Sequence, residues 1–456
     1  MDIIEQKTFT LEKEDKHIVL ASDNNNDIVN QLEKALDINF NDVLDDTITT
    51  IPTLKKLKTS KITVVKKACI LDNKEDVIAH IAKMEEDVIL LGDTFVTEEK
   101  TLLSEVVEKR LTEQYRFDRF KETKKTVYKT YFFAKKNVYE TLKKGQIIGD
   151  AINTCRDLVN TPYNYLNAEA LAIHAKGLER YQNITVDVYD KDAIEEMNMG
   201  AYLGVNKGST DEPKLIVIKY NNGGKSPYTG LVGKGVMYDT GGYSLKTPTS
   251  MPGMKVDMAG AAAVVASIEA IAQLELEANV MSVVAATDNR IGKEAIVPDD
   301  ILTAANGKTI EVISTDAEGR LTLADALWFA QKEGAKRVID VATLTGSIVR
   351  ALGNKLTGAY TNNQAFLSEF KAVTEKTNEP IWEMPITKVY HDELKSKVAD
   401  LQNKGSALAG ASIAAAFLQN FVEEKTEWIH LDIAGTSSNK KEATGVMVKS
   451  FVELFA

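Results

Sequence analysis

The N-terminal part of the chain alternates short apolar runs with amphipathic ones. HIVLA, KITVVKKACIL and DVILLGD have the apolar, β-branched character of strands, whereas DIVNQLEKALD and KEDVIAHIAKMEE space their apolar residues along one helical face. That alternation predicts a parallel or mixed sheet with helices on its faces. A long helical stretch follows from about Lys135. It stops at Asn160-Thr161-Pro162, because the residue before proline avoids the helical region. A second α/β pattern then runs to the end. Its strands are ITVDVYD, KLIVIKYN, TGLVGKGV, ANVMSVVAAT, TIEVIST, RVIDVATL and WIHLDIA; its helices are AEALAIHAKGLERY, AGAAAVVASIEAIAQL, LTLADALWFAQKE and GASIAAAFLQNFVEE. Strands such as KLIVI and VMSVVAA read as buried on both faces. The fold class is therefore α/β, with an N-terminal domain over residues 1–134, a linking helix over 135–156 and a larger domain over 157–456.

Composition adds little but excludes several classes. The 456 residues are 44% hydrophobic and 27% charged, the balance of a folded chain rather than a disordered or fibrous one. A net charge of -11 argues against nucleic acid as the main partner. Two basic runs keep a secondary nucleic-acid role open. One comprises Lys55, Lys56, Lys58, Lys61, Lys66 and Lys67; the other, interleaved with aromatics, comprises Lys121, Lys124, Lys125, Lys129, Lys135 and Lys136. The two cysteines, Cys69 and Cys155, make neither a disulfide framework nor a thiolate zinc site. The N-terminus MDIIEQKTFT has no basic segment leading into an apolar one, and no uninterrupted apolar stretch approaches the ~20 residues of a membrane span. The expectation is a cytoplasmic protein without membrane association.

Chemistry concentrates in two segments. The first runs from Gly233 through Lys234, Asp239, Gly241-Gly242 and Lys246 to Asp257; the second is Ser314-Thr315-Asp316-Ala317-Glu318-Gly319-Arg320-Leu321. Both are expected between a strand and a helix, at the sheet edge where open α/β folds bind ligands. The first is glycine-rich but lacks GxxxxGK[ST] and GxGxxG, and Asp239 and Asp257 would repel a phosphate. The other reading is a metal cluster: Asp239, Asp257, Asp316 and Glu318 supply four carboxylates, accompanied by Lys234, Lys246 and Arg320. His17, His80, His174, His391 and His430 lie outside both segments, so a metal would be held mainly by oxygen. Taken singly, Asp316 and Glu318 could only complement a helix N-terminus, and the glycines could only form a turn.

Together the two segments resemble the signatures of the leucyl aminopeptidase (cytosol aminopeptidase) family. The family octet NTDAEGRL appears here as STDAEGRL, and the spacing from Lys234 to Asp239, Lys246 and Asp257 is kept. Further matches lie at Arg156 and Asn160-Thr161-Pro162, at Asp340 to Gly346, at Ala399-Asp400, Asn403 and Gly405, and at His430 to Gly435. Two departures are Met237-Tyr238-Asp239, where the family has TFD, and Ser314, where it has Asn.

The resemblance implies a twisted central sheet flanked by helices in the larger, catalytic domain, a smaller N-terminal α/β domain, and a homohexamer. It implies hydrolysis of the N-terminal residue, leucine and other apolar residues, from peptides with a free N-terminal amine, through a water activated by two divalent ions, Zn²⁺ or Mn²⁺. It assigns Lys234, Asp239, Asp257, Asp316 and Glu318 as metal ligands and Lys246 and Arg320 as catalytic residues, with Lys246 also meeting substrate. Bicarbonate would be bound by Gly319, Arg320 and Leu344, and the first substrate side chain by Met254, Thr343 and Gly346. Two other readings stand beside it: a hexameric scaffold or DNA-associated regulator with secondary peptidase activity, and a two-metal hydrolase of phosphoesters.

Overall fold

A computed structural model describes the chain except residues 1–2, 23–25, 44–46, 96–101, 135 and 441. It divides into two compact units, Met1–Asn153 and Thr154–Ala456. The helix Lys136–Asn160 spans the expected linking segment and runs beyond it to the residue before Thr161-Pro162.

Among its described residues the first unit holds six strands: β1 (Ile3–Glu5), β2 (His17–Ala21), β3 (Ile48–Pro52), β4 (Lys61–Val65), β5 (Val88–Leu91) and β6 (Thr130–Phe133). They form one sheet in the order β1-β6-β5-β2-β4-β3, parallel except where β3 meets β4. Successive residues of β2 face opposite sides. Ile18 and Leu20 join a core with Val29 and Leu32 of the helix Asp27–Leu36, while Val19 and Ala21 join Val77, Ile81, Val106 and Leu111. The predicted strand KITVVKKACIL is shorter than expected, since a 3₁₀ turn takes over at Lys67–Cys69. Buried Arg110 donates to the carbonyls of Ile81, Met84 and Glu86, closing the C-terminal end of the helix Lys74–Ala82; burial pushes its guanidinium down to about 10. Within the first basic run, Lys56 donates to the Leu36 carbonyl, Lys58 pairs with Asp15 and Lys61 with Glu86. In the second run Lys124 pairs with Asp118, while Lys135 and the side chain of Lys136 lie outside the described residues.

The second unit is built on β7 (Ile184–Tyr189), β8 (Lys214–Asn221), β9 (Tyr228–Asp239), β10 (Asn279–Asn289), β11 (Ile301–Thr303), β12 (Thr309–Glu311), β13 (Ala335–Ala342), β14 (Thr357–Thr361), β15 (Ile381–Glu383), β16 (Leu401–Gln402) and β17 (Glu427–Asp432). Eight of these form the main sheet, in the order β15-β14-β17-β13-β9-β10-β8-β7. The central run β17-β13-β9-β10 is parallel, so the C-terminal ends of four strands open on one edge. β10 is buried throughout and β9 over most of its length, apolar stretches and the polar residues at their carboxyl ends alike.

The helices Ala259–Gln273 and Gly319–Lys332 pack on β9. The first is alanine-rich, and its one glycine has a geometric reason: a Cβ on Gly260 would lie 2.0 Å from the Val341 carbonyl oxygen. Preceded by the 3₁₀ turn Met254–Met258, it makes a run long and apolar enough to cross a membrane, yet 89% of that stretch is buried in the protein core. The TIEVIST segment departs from expectation. Only Thr309–Glu311 is extended, and it belongs to a small sheet, β11-β12-β16, instead of the main one.

Candidate active site

β9 carries the first two site residues. Val232 packs among Leu321, Leu323 and Leu327, so Lys234, two residues on, faces the N-terminal end of the helix Gly319–Lys332. The helix can begin there only because Gly319 has no side chain: a Cβ would stand 2.3 Å from Lys234 Cε. Asp239 ends the strand, and the chain turns over Gly241 to bring Lys246 back beside it.

The five residues expected as ligands meet at this edge, together with Lys246. Lys234 Nζ is 2.7 Å from Asp257 Oδ1 and 2.9 Å from Glu318 Oε1, and donates to the Thr343 carbonyl at 3.1 Å. Lys246 Nζ is 2.6 Å from both Asp239 Oδ2 and Asp316 Oδ1. Asp239, Asp316 and Glu318 can each bring one oxygen within 4.8 Å of the others. Four carboxylates thus surround two lysines, in a site where all but Asp316 and Lys246 are more than nine-tenths buried.

The electrostatics follow from that crowding. Burial alone would push Lys234 down, but Asp257, Glu318 and Asp239 carry its ammonium above the ordinary lysine value; Lys246 is raised in the same way by Asp239 and Glu318. Burial, then Glu318, pushes Asp239 up to about 6. Asp257 is raised well above its usual range by burial, against the pull of Lys234. Glu318 is the exception: burial raises it, yet Lys234 and Lys246 together hold it below the usual glutamate value. Asp257 Oδ2 and Glu318 Oε2 are buried without a hydrogen-bond partner among the described residues. Unpaired anionic oxygens in a low-dielectric site are costly, and a divalent cation is what such a donor set fits.

Around this centre the chain supplies a frame that sequence reading leaves unassigned. Thr343 donates its hydroxyl to Asp257 Oδ1 at 2.8 Å, so this expected pocket residue also holds an expected ligand. Asp432 accepts from the Leu344 amide at 3.1 Å and the Thr345 hydroxyl at 2.7 Å, fixing the turn that leads to Gly346 at the start of a helix. Asn403 is fully buried. Its side chain accepts from the Ile313 amide and donates to the Ser314 carbonyl, each at 2.8 Å. The Asn403 backbone carbonyl accepts Arg320 Nη1 at 2.7 Å, and burial pushes the Arg320 guanidinium down to about 10. Arg320 Nε is buried and has no hydrogen-bond partner among the described residues. Met254 opens the 3₁₀ turn that carries Asp257. His430 is buried and lies 2.6 Å from Asp340 Oδ1.

A buried carboxylate cluster with lysines, where the parallel strands of a mixed sheet end, defines a class of α/β proteins whose centre can hold a metal. Comparison with known proteins narrows this. Residues 153–452 match the catalytic domain of the cytosol aminopeptidase family. The chain is 41% identical over 396 residues to the "Probable cytosol aminopeptidase" of Bacillus subtilis (strain 168), covering 82% of this chain and 78% of that protein. Proteins of the same name from Bacillus licheniformis and Exiguobacterium sibiricum are each 45% identical, over 70% and 69% of this chain and 67% and 68% of theirs. The chain belongs to the cytosol aminopeptidase family and is an aminopeptidase, a hydrolase of peptide bonds.

Proposed function

We propose that this aminopeptidase uses two divalent ions, Zn²⁺ or Mn²⁺, to remove leucine and other apolar residues from the free N-terminus of peptides. The observation that carries the reading is the convergence of Lys234, Asp239, Asp257, Asp316 and Glu318, with Asp257 Oδ2 and Glu318 Oε2 buried and unpaired. These five residues would hold the ions; Lys234 would do so as the neutral amine, giving up a proton that its carboxylate partners otherwise favour. When bound, such ions supply Lewis acidity and lower the pKa of water, and bicarbonate supplies a proton acceptor.

The chain's own residues supply the rest. Lys246 presents an ammonium to the oxyanion that develops as the peptide carbonyl is attacked. Arg320, whose Nε has no hydrogen-bond partner among the described residues, would hold bicarbonate beside Gly319 and Leu344. Met254, Thr343 and Gly346 wall the pocket for the first side chain, and the tie from Thr343 to Asp257 keeps that pocket in register with the centre. Residues 157–456 form the catalytic domain, residues 135–156 the link and residues 1–134 an accessory domain, in a cytoplasmic homohexamer. The alternative of a DNA-associated regulator finds less support, since Lys56, Lys58 and Lys61 are engaged within their own unit.

The test pairs a leucyl anilide with its N-acetylated form. The protein is assayed as purified, after chelation, and after return of Zn²⁺ or Mn²⁺. Cleavage of the free-amine substrate alone, lost on chelation and restored by metal, is expected. Activity that survives complete removal of metal would refute the proposal.

A further inference from the structure

Asn289 is the last residue of β10 and stands opposite Asp239, the last residue of the neighbouring β9. It is 2% exposed. Its side-chain Nδ2 donates to Asp239 Oδ1 at 2.8 Å and to the Thr315 carbonyl at 3.0 Å. Its own carbonyl accepts the amide of Thr240 at 3.0 Å and the hydroxyl of Thr240 at 2.9 Å. Asp239 Oδ1 takes a second donor, the Gly241 amide at 2.8 Å, whereas Oδ2 faces Lys246.

We propose that Asn289 is the positioning residue of the metal centre. It occupies Asp239 Oδ1 so that Oδ2 alone is presented to a cation, and it locks the loop bearing Asp316 and Glu318 in register with β9. The inference rests on the two-metal reading above. A carboxylate can ligate through one oxygen or two, and donors to one oxygen select the other. The job needs two N–H groups on one short side chain, one for a carboxylate and one for a carbonyl. An amide has both; serine or threonine offers a single O–H donor, and an ionised aspartate has none. Thr315 reinforces the lock from the other loop. Its hydroxyl donates to the Gly241 carbonyl at 2.6 Å and accepts from the Ser244 amide at 2.7 Å.

The alternative is that Asn289 merely ends a strand. Asn289→Ser distinguishes the two, with Asn289→Thr, which suits a strand end, as the second variant should the serine protein not fold. Binding of Zn²⁺ is measured at free concentrations set by a chelating buffer, with bound zinc quantified directly, and the metal-free melting temperature is recorded alongside. A positioning role predicts zinc affinity lower by ~10–100-fold, with the metal-free melting temperature within a few degrees of wild type. It also predicts that excess zinc restores kcat while KM for a leucyl substrate stays near wild type. Unchanged zinc affinity, or lost kcat that no zinc concentration restores, would overturn it. Failure of the wild-type protein itself to bind zinc or manganese would instead remove the two-metal reading on which the inference stands.

Discussion

Asp257→Ala protein is expected to lose zinc affinity by more than ~100-fold, beyond what removing a residue that merely orients a ligand would cause. Asp257 Oδ1 accepts from Lys234 and Thr343, and Oδ2 is buried with no partner, so one carboxylate supplies both an anchor for the lysine and an unpaired oxygen for a cation. Breaking a buried ion pair ordinarily costs ~3–5 kcal/mol because a charge is stranded. Here two effects oppose that cost. Lys234 keeps Glu318 at 2.9 Å and the Thr343 carbonyl at 3.1 Å, and removal of one of several crowded carboxylates relieves repulsion that raises Asp257 itself. The damage should therefore appear in metal content and activity rather than in the melting temperature of the metal-free protein. Retention of full metal content in Asp257→Ala would remove this residue from the ligand set.

Lys246→Ala should leave the metal in place while kcat falls by ~10²–10³, the effect of losing one donor to a developing oxyanion, worth ~2.7–4 kcal/mol. Lys246 Nζ binds Asp239 Oδ2 and Asp316 Oδ1 at 2.6 Å each, so its removal frees two oxygens and makes the site more anionic. Zinc affinity should hold or rise. Steady-state kinetics with metal analysis of the same sample separates the outcomes: lower kcat with full occupancy supports the assignment, and lost metal would move Lys246 among the ligands.

Much of the fold is legible because strands buried on both faces announce themselves. HIVLA, KLIVI and VMSVVAA are continuous apolar runs, and each proves to be a buried strand. TIEVIST is also rich in β-branched residues but makes only a three-residue strand in a side sheet, since such a pattern does not specify which sheet a short segment joins. At the site, the carboxylates were legible as a cluster from their density in two short segments. Lys234 was not, because nothing in TGLVGKGV marks a lysine as buried; its burial depends on the missing side chain of Gly319 and on anions from two other segments. Its assignment came from resemblance alone. Asn289, Asn403 and Asp432 are single polar residues whose partners lie 50, 89 and 88 positions away, and no local periodicity encodes such pairings. The one local hint was a polar Thr-Asp-Asn ending on a buried strand, at the edge where parallel sheets place their chemistry.

The centre itself is tested most directly by anomalous diffraction at the zinc edge from crystals equilibrated with Zn²⁺. Two anomalous peaks are expected, ligated by Lys234 Nζ and by the carboxylates of Asp239, Asp257, Asp316 and Glu318, with Lys246 close by but not coordinating. Zinc bound elsewhere, or a zinc-soaked site in which Lys234 still pairs with Asp257 and Glu318 and touches no ion, would contradict the account.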